Sequence, residues 1–85
     1  MQIEVVKQLI KAGLQDANVI VEGDGAHFMA IVVSPQFASK SRIQRQQLVY
    51  NVIRKQLDDG SLHAISLKTY TPQEWQAQGG EQWTN

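Results

Sequence analysis

The sequence predicts an α+β domain in the order α-β-β-α-β-α, a three-stranded sheet with its helices on one face. Three observations carry this. Two β-rich runs, residues 18–22 (NVIVE) and 27–34 (HFMAIVVS), flank a Gly23-Asp24-Gly25 tip, the pattern of a hairpin. Apolar residues recur at three-to-four spacing over residues 2–14 and again from Ile43 to Leu57, the period of an amphipathic helix. A third run, residues 62–70 (LHAISLKTY), alternates and leads directly into Thr71-Pro72-Gln73-Glu74. At 85 residues the chain suits one domain, spanning 1–78, with a flexible tail at 79–85.

Each element has its own warrant. In residues 2–14, Ile3, Val6, Leu9 or Ile10, and Gly13–Leu14 form the apolar stripe, with Glu4, Lys7, Gln8 and Lys11 between; Gly13 reads as the stop. The run at 27–34 is nearly all apolar, so it should be the central, buried strand. Pro35 ends it, and PQFASKS is a connection with Phe37 as an apolar anchor. Ser41 reads as an N-cap. In the helix that follows, Ile43, Gln46, Tyr50, Ile53 and Leu57 step round one face, with Val49 beside them and Leu48 and Val52 widening it. This helix should be the most buried. Asp58 and Asp59 oppose the helix dipole at its C-terminus, so Gly60 must set the stop. In the third strand Ala64, Ser66, Lys68 and Tyr70 share one face, with Leu62 in phase; His63, Ile65, Leu67 and Thr69 share the other. A helical crossover before it permits parallel pairing. Thr71, Pro72 and Glu74 form a capping box opening a short helix to about Ala77.

Composition narrows the function. Hydrophobic residues make up 42% and charged residues 19%, a globular balance that argues against disorder. The absence of cysteine excludes a disulfide framework, a CxxC redox motif and a self-contained thiolate cluster. No run approaches the ~18 apolar residues of a membrane span, and the N-terminus lacks the charge-then-apolar order of a signal peptide. The expected location is cytoplasmic. GxxxxGK[ST], GxGxxG, HExxH and GxSxG are all missing, and no spacing singles out a nucleophile triad. A chain this small favours a binding or adaptor module over an enzyme.

Three groups of residues can carry chemistry. His27 opens the second strand beside the Gly-Asp-Gly turn, and His63 opens the third after Asp58-Asp59-Gly60-Ser61. Parallel, adjacent strands would bring them near each other. The plainer reading is two half-exposed surface histidines, since two imidazoles fall short of the three or four ligands a metal takes. A two-histidine site makes sense if a partner supplies the rest, as in mixed His/Cys iron–sulfur ligation. Secondly, Lys40, Arg42, Arg45, Arg54 and Lys55 occupy a stretch with no acid, either a nucleic-acid surface or an ordinary solvated one. At roughly 100° per residue, Arg45, Arg54 and Lys55 point to three sides of a helix and make no stripe. No two glycines fall three apart, so no GxxG loop clamps a nucleic-acid backbone. Thirdly, Tyr70 and Trp75 flank the capping box, as covers over the sheet edge or as a contact surface. Trp83 lies in the tail, a partner contact or an unanchored residue.

These residues resemble the BolA-like proteins. Residues 62–75, LHAISLKTYTPQEW, are similar to the family's C-terminal signature, and residues 37–50, FASKSRIQRQQLVY, to its FxGxSxxxRHxxVY segment. GDGAHF, residues 23–28, resembles the hairpin loop of the IbaG (YrbA) branch. The likeness spans essentially the whole chain. Ser39 stands where the family usually has Gly, and Gln46 where it usually has His; the IbaG branch often carries Gln there. The resemblance implies a fold similar to class II KH domains, and a non-enzymatic adaptor in iron–sulfur trafficking or iron regulation. Its implied partner is a monothiol glutaredoxin of the CGFS type, joined through a bridging [2Fe–2S] cluster also held by glutathione. The family's C-terminal histidine falls on His63. The second ligand, a Cys or His of the hairpin loop, falls on His27, with Asp24 the less favoured alternative. The free protein, without cofactor, is expected as a monomer or weak dimer. The resemblance also implies a second reading, a KH-like DNA-binding regulator in the stress response, using Lys40, Arg42 and Arg45.

Overall fold

The computed structural model describes residues 2–14, 16–24 and 27–78. The expected tail at 79–85, with Trp83, and Gly25 of the hairpin tip lie outside the described residues. The elements are α1 (Ile3–Gly13), β1 (Asn18–Gly23), β2 (His27–Val33), a 3₁₀ turn (Pro35–Phe37), α2 (Arg42–Asp58), β3 (Ala64–Tyr70) and α3 (Pro72–Ala77). The sheet order is β1-β2-β3, with β2 central. β1 pairs with β2 antiparallel, and β3 pairs with β2 parallel, from His27 opposite Ala64 to Val33 opposite Tyr70. The α+β architecture read from the sequence is the observed one.

Alternation sorts the strands into two faces. Val19, Phe28, Ala30, Val32 and Leu67 meet Val6 and Ile10 of α1, Leu14 just after it, and Val49 and Ile53 of α2 in one core cluster. Phe37, at the end of the 3₁₀ turn, is fully buried in it, so the PQF connection is a plug into the core. Ser34 caps that turn, its Oγ accepting from Gln36 N–H at 3.1 Å. Ile31 and Val33 alternate to the opposite face and stand outside the cluster, yet both are buried. Their place at the sheet centre does this: Ile31 sits in register between Ile20 and Lys68.

Three expectations need correction, whereas Gly13 ends α1 as the sequence reads it: it is the last helical residue, and Leu14 turns extended after it. A Cβ on Gly13 would lie 2.5 Å from Val52 Cγ1, so glycine is there because α1 and α2 cross at that point. α2 is not the most buried helix: only Val49 and Ile53 are buried in its 17 residues, against Val6 and Ile10 in the 11 of α1. Ile43, placed on its apolar face by the periodicity, is 69% exposed. Only one layer of sheet lies against α2, so the full width of its apolar side cannot be covered. Finally, β3 begins at Ala64, not Leu62. Leu62 belongs to the preceding turn and is buried in the helix-side cluster, opposite to the phase that alternation gave it.

The caps fall where the sequence puts them. Ser41 and Gln44 form a reciprocal box at the start of α2, and Thr71 and Glu74 another at α3. Gly60, at φ +82°, follows the end of α2.

Candidate functional site

The hairpin tip builds one half of the site. Asp24 N–H donates to the His27 carbonyl at 3.2 Å, and His27 N–H donates to Asp24 Oδ1 at 3.0 Å. The pair closes the turn from both sides, as an Asx side chain does. Gly23 permits it, because a Cβ there would lie 2.5 Å from the His27 carbonyl oxygen. One Asp24 carboxylate oxygen is therefore committed to the turn, and the carboxylate holds the His27 backbone in place.

The turn after α2 builds the other half. Asp59 Oδ1 accepts from Ser61 N–H at 2.8 Å; a hydrogen bond from the Ser61 side chain first, and this backbone one second, hold its carboxyl below the usual carboxylate range. Leu62 N–H donates to the Gln56 carbonyl at 3.0 Å, and its side chain is buried. With Leu62 anchored, the chain emerges at His63, which is exposed, and enters β3.

Parallel pairing unites the halves. His27 is the register partner of Ala64, and His63 is the residue before Ala64. Both histidines thus sit, exposed, at the same end of two adjacent strands. Among the described residues no hydrogen bond reaches either imidazole ring. Neutral imidazole is a donor to iron through its free nitrogen. A shallow depression beside His27 is bordered by Glu22, Asp24, Met29 and Ser66, on the face away from α1 and α2; His63 is not among the residues that line it. Among the described residues no group of three or more His, Cys, Asp or Glu side chains could enclose a metal ion. A metal held by the two imidazoles would have to take its other ligands from another molecule.

The basic residues separate into two kinds. Arg45 Nη1 and Nη2 donate to Glu74 Oε1 and Oε2 at 2.7 and 3.1 Å, and Nε donates to the Lys40 carbonyl at 3.0 Å. Its side chain is 13% exposed and its guanidinium lies 6.0 Å from the Phe37 ring centre. Arg45 is a tie between the start of α2 and α3, with its fork already filled. Glu74 is pulled down to about 2 by the Arg45 hydrogen bond first and by Thr71 N–H second. Lys40 and Arg42 are exposed, beside Thr69 and Tyr70 at the end of β3. Tyr70 and Trp75 pack ring against ring, with centroids 5.3 Å apart. The sequence held no signal for the Arg45–Glu74 bridge, because its ends are 29 residues apart and Glu74 already had a role in its capping box.

A three-stranded mixed sheet with helices on one face, bearing two exposed histidines at one end and basic residues at the other, makes a small α+β fold. Residues 3–74 match the family described as BolA-like protein, and the chain belongs to that family. It is 37% identical to the acid stress protein IbaG of Escherichia coli K12 over 75 residues, 88% of this chain and 89% of that one. It is 38% identical over 56 residues to a protein of Haemophilus influenzae named DNA-binding transcriptional regulator BolA, covering 66% of this chain and 53% of that one. Its fold is similar to the solved structure of a BolA homologue from Coxiella burnetii, with a TM-score of 0.81 and 42% identity, covering 89% of this chain and 97% of that one.

Proposed function

We propose that this protein is a non-enzymatic adaptor that completes a [2Fe–2S] cluster carried by a CGFS monothiol glutaredoxin and its glutathione. One observation carries the reading: the β2–β3 register sets His27 and His63, both exposed, at the same end of two adjacent strands. In this reading His63 supplies a nitrogen ligand and His27 the second. Asp24 fixes the His27 backbone, and the buried Leu62 fixes the start of β3. The partner and glutathione supply the sulfur. Replacing a thiolate by a neutral imidazole makes the cluster less negative and raises its potential.

The test is titration of the protein into the cluster-loaded glutaredoxin, followed by visible circular dichroism. A new spectrum is expected for the wild type, and its loss for His63→Ala. An unchanged new spectrum with His63→Ala removes the ligand assignment.

A second reading, a DNA-binding regulator, is favoured by exposed Lys40 and Arg42 and by the name of the Haemophilus relative. It predicts salt-dependent binding to duplex DNA that falls with Lys40→Ala and Arg42→Ala. A gel shift unchanged in the double variant removes that surface. Arg45→Ala is the wrong probe, because it also cuts the tie to α3.

A further inference from the structure

β3 is an edge strand, paired on one side only. Which of its amides face outward follows from one hydrogen bond: Ser34 N–H donates to the Tyr70 carbonyl at 3.0 Å. Tyr70 therefore turns its backbone groups toward β2, and with a period of two so do Lys68, Ser66 and Ala64. Ile65, Leu67 and Thr69 turn theirs away from the sheet. Among the described residues no loop, cap or side-chain hydrogen bond reaches those three. Edge strands are usually blunted by proline, a bulge, a covering element or a charged side chain, and the one charge in β3, Lys68, would repel cations but not an acidic strand. β3 has no proline and runs in unbroken register over its seven residues. Among the described residues no element covers it; beside it lies a groove of about 280 Å³, lined by Leu67, Lys68, Thr69 and Tyr70 on one wall and by Arg42 and Gln46 of α2 on the other. It continues past Lys40 toward α3, where among the described residues the one acid on its wall is Glu74, already paired with Arg45.

We infer that this groove takes an extended acidic segment of another polypeptide as a fourth strand along β3. Its backbone pairs with the outward amides of Ile65, Leu67 and Thr69, and its carboxylates lie against Arg42 and Lys40. Main-chain pairing gives affinity in such strand addition, and the flanking charges give selectivity. The groove wall favours peptide over nucleic acid. Among the described residues the one aromatic ring on its wall, Tyr70, is packed at a tilt against Trp75, whereas single-stranded nucleic acid needs free rings for its bases. This surface lies along the strand, distinct from the histidine pair at the strand's beginning.

The probe is a pool of capped heptapeptides alternating Val or Ile with Glu, added to the full ¹⁵N-labelled chain. The reading predicts shifts and slowed exchange at Ile65, Leu67 and Thr69 amides, with Ser66 and Lys68 amides unchanged in exchange. The same pool with Lys for Glu should bind about tenfold more weakly, and Arg42→Glu should invert that preference. Thr69→Pro removes an outward N–H without touching the ladder to β2, and should weaken binding about tenfold. Should that variant misfold, the Arg42→Glu inversion decides. No protection at millimolar peptide, protection without the alternation, or tighter occupation of the same amides by an oligothymidylate each overturns the inference.

Discussion

Arg45 and Glu74 form a two-pronged ion pair, at 2.7 and 3.1 Å, that joins the first turn of α2 to the first turn of α3. Glu74 Oε1 also accepts Thr71 N–H at 2.9 Å, so one carboxylate both caps α3 and ties it down. The folded carboxyl is lowered from 4.5 to about 2, chiefly by Arg45. A lowered folded value means that the bridge contributes in full above the unfolded value and is lost as the pH falls through the folded one. Glu74→Gln keeps a capping side chain and removes the charge. Urea midpoints of wild type and variant should differ by a constant amount above about pH 5 and converge as the pH approaches 2. A difference that persists unchanged at pH 2 would rule out the ion pair as its source.

Gly13 and Val52 define the crossing of α1 and α2. Gly13→Ala forces a Cβ within 2.5 Å of Val52 Cγ1 and within 3.0 Å of its Cβ, and a β-branched side chain has little room to turn. The expected cost is about 1–3 kcal/mol by chemical denaturation. Val52→Ala, itself destabilising, should recover part of that loss in the double variant, a coupling that a denaturation cycle reads directly. Strict additivity would mean that the helices simply move apart.

Ser39 sits at φ +64°, in the left-handed region. Such a conformation costs a non-glycine residue about 1–2 kcal/mol, and glycine gives part of this back as unfolded-chain entropy. Ser39→Gly should therefore stabilise the protein by about 0.5–1 kcal/mol, raising the thermal midpoint by a few degrees. An unchanged or lower midpoint would mean that this loop relaxes without cost.

Gly23 controls the histidine end of the sheet. Gly23→Ala meets the His27 carbonyl oxygen at 2.5 Å, a backbone atom that cannot swing aside. The two Asp24–His27 hydrogen bonds should break, seen as faster amide exchange at His27. In the glutaredoxin titration the variant should give a weakened cluster spectrum although both imidazoles remain. A full-strength spectrum would show that the hairpin tip need not be held.

Most of the element order was legible from local signals: the periods, the Gly-Asp-Gly tip, Ser41 and the Thr71–Glu74 box act over a few residues. The likeness of residues 62–75 to the BolA-like signature pointed to the family that residues 3–74 match. Where the sequence misled, a local period was followed past the contact that enforces it. Leu62 kept the alternation of β3 on paper but is drawn into the helix-side core by its turn. Ile43 kept the period of α2 but lies where one sheet cannot cover it.

The sequence by itself determined the hairpin, the helix starts and the absence of any cysteine to hold a cluster alone. Only the tertiary structure decided that β3 lies parallel beside β2. That pairing brings His63 to the same end of the sheet as His27 and, among the described residues, leaves the far edge of β3 open, and the closed fold fills the Arg45 fork with Glu74. The physical reason is range. Caps and turns are satisfied by neighbours in the chain, whereas register and ion pairs across 29 residues exist only once the core has closed around Phe37.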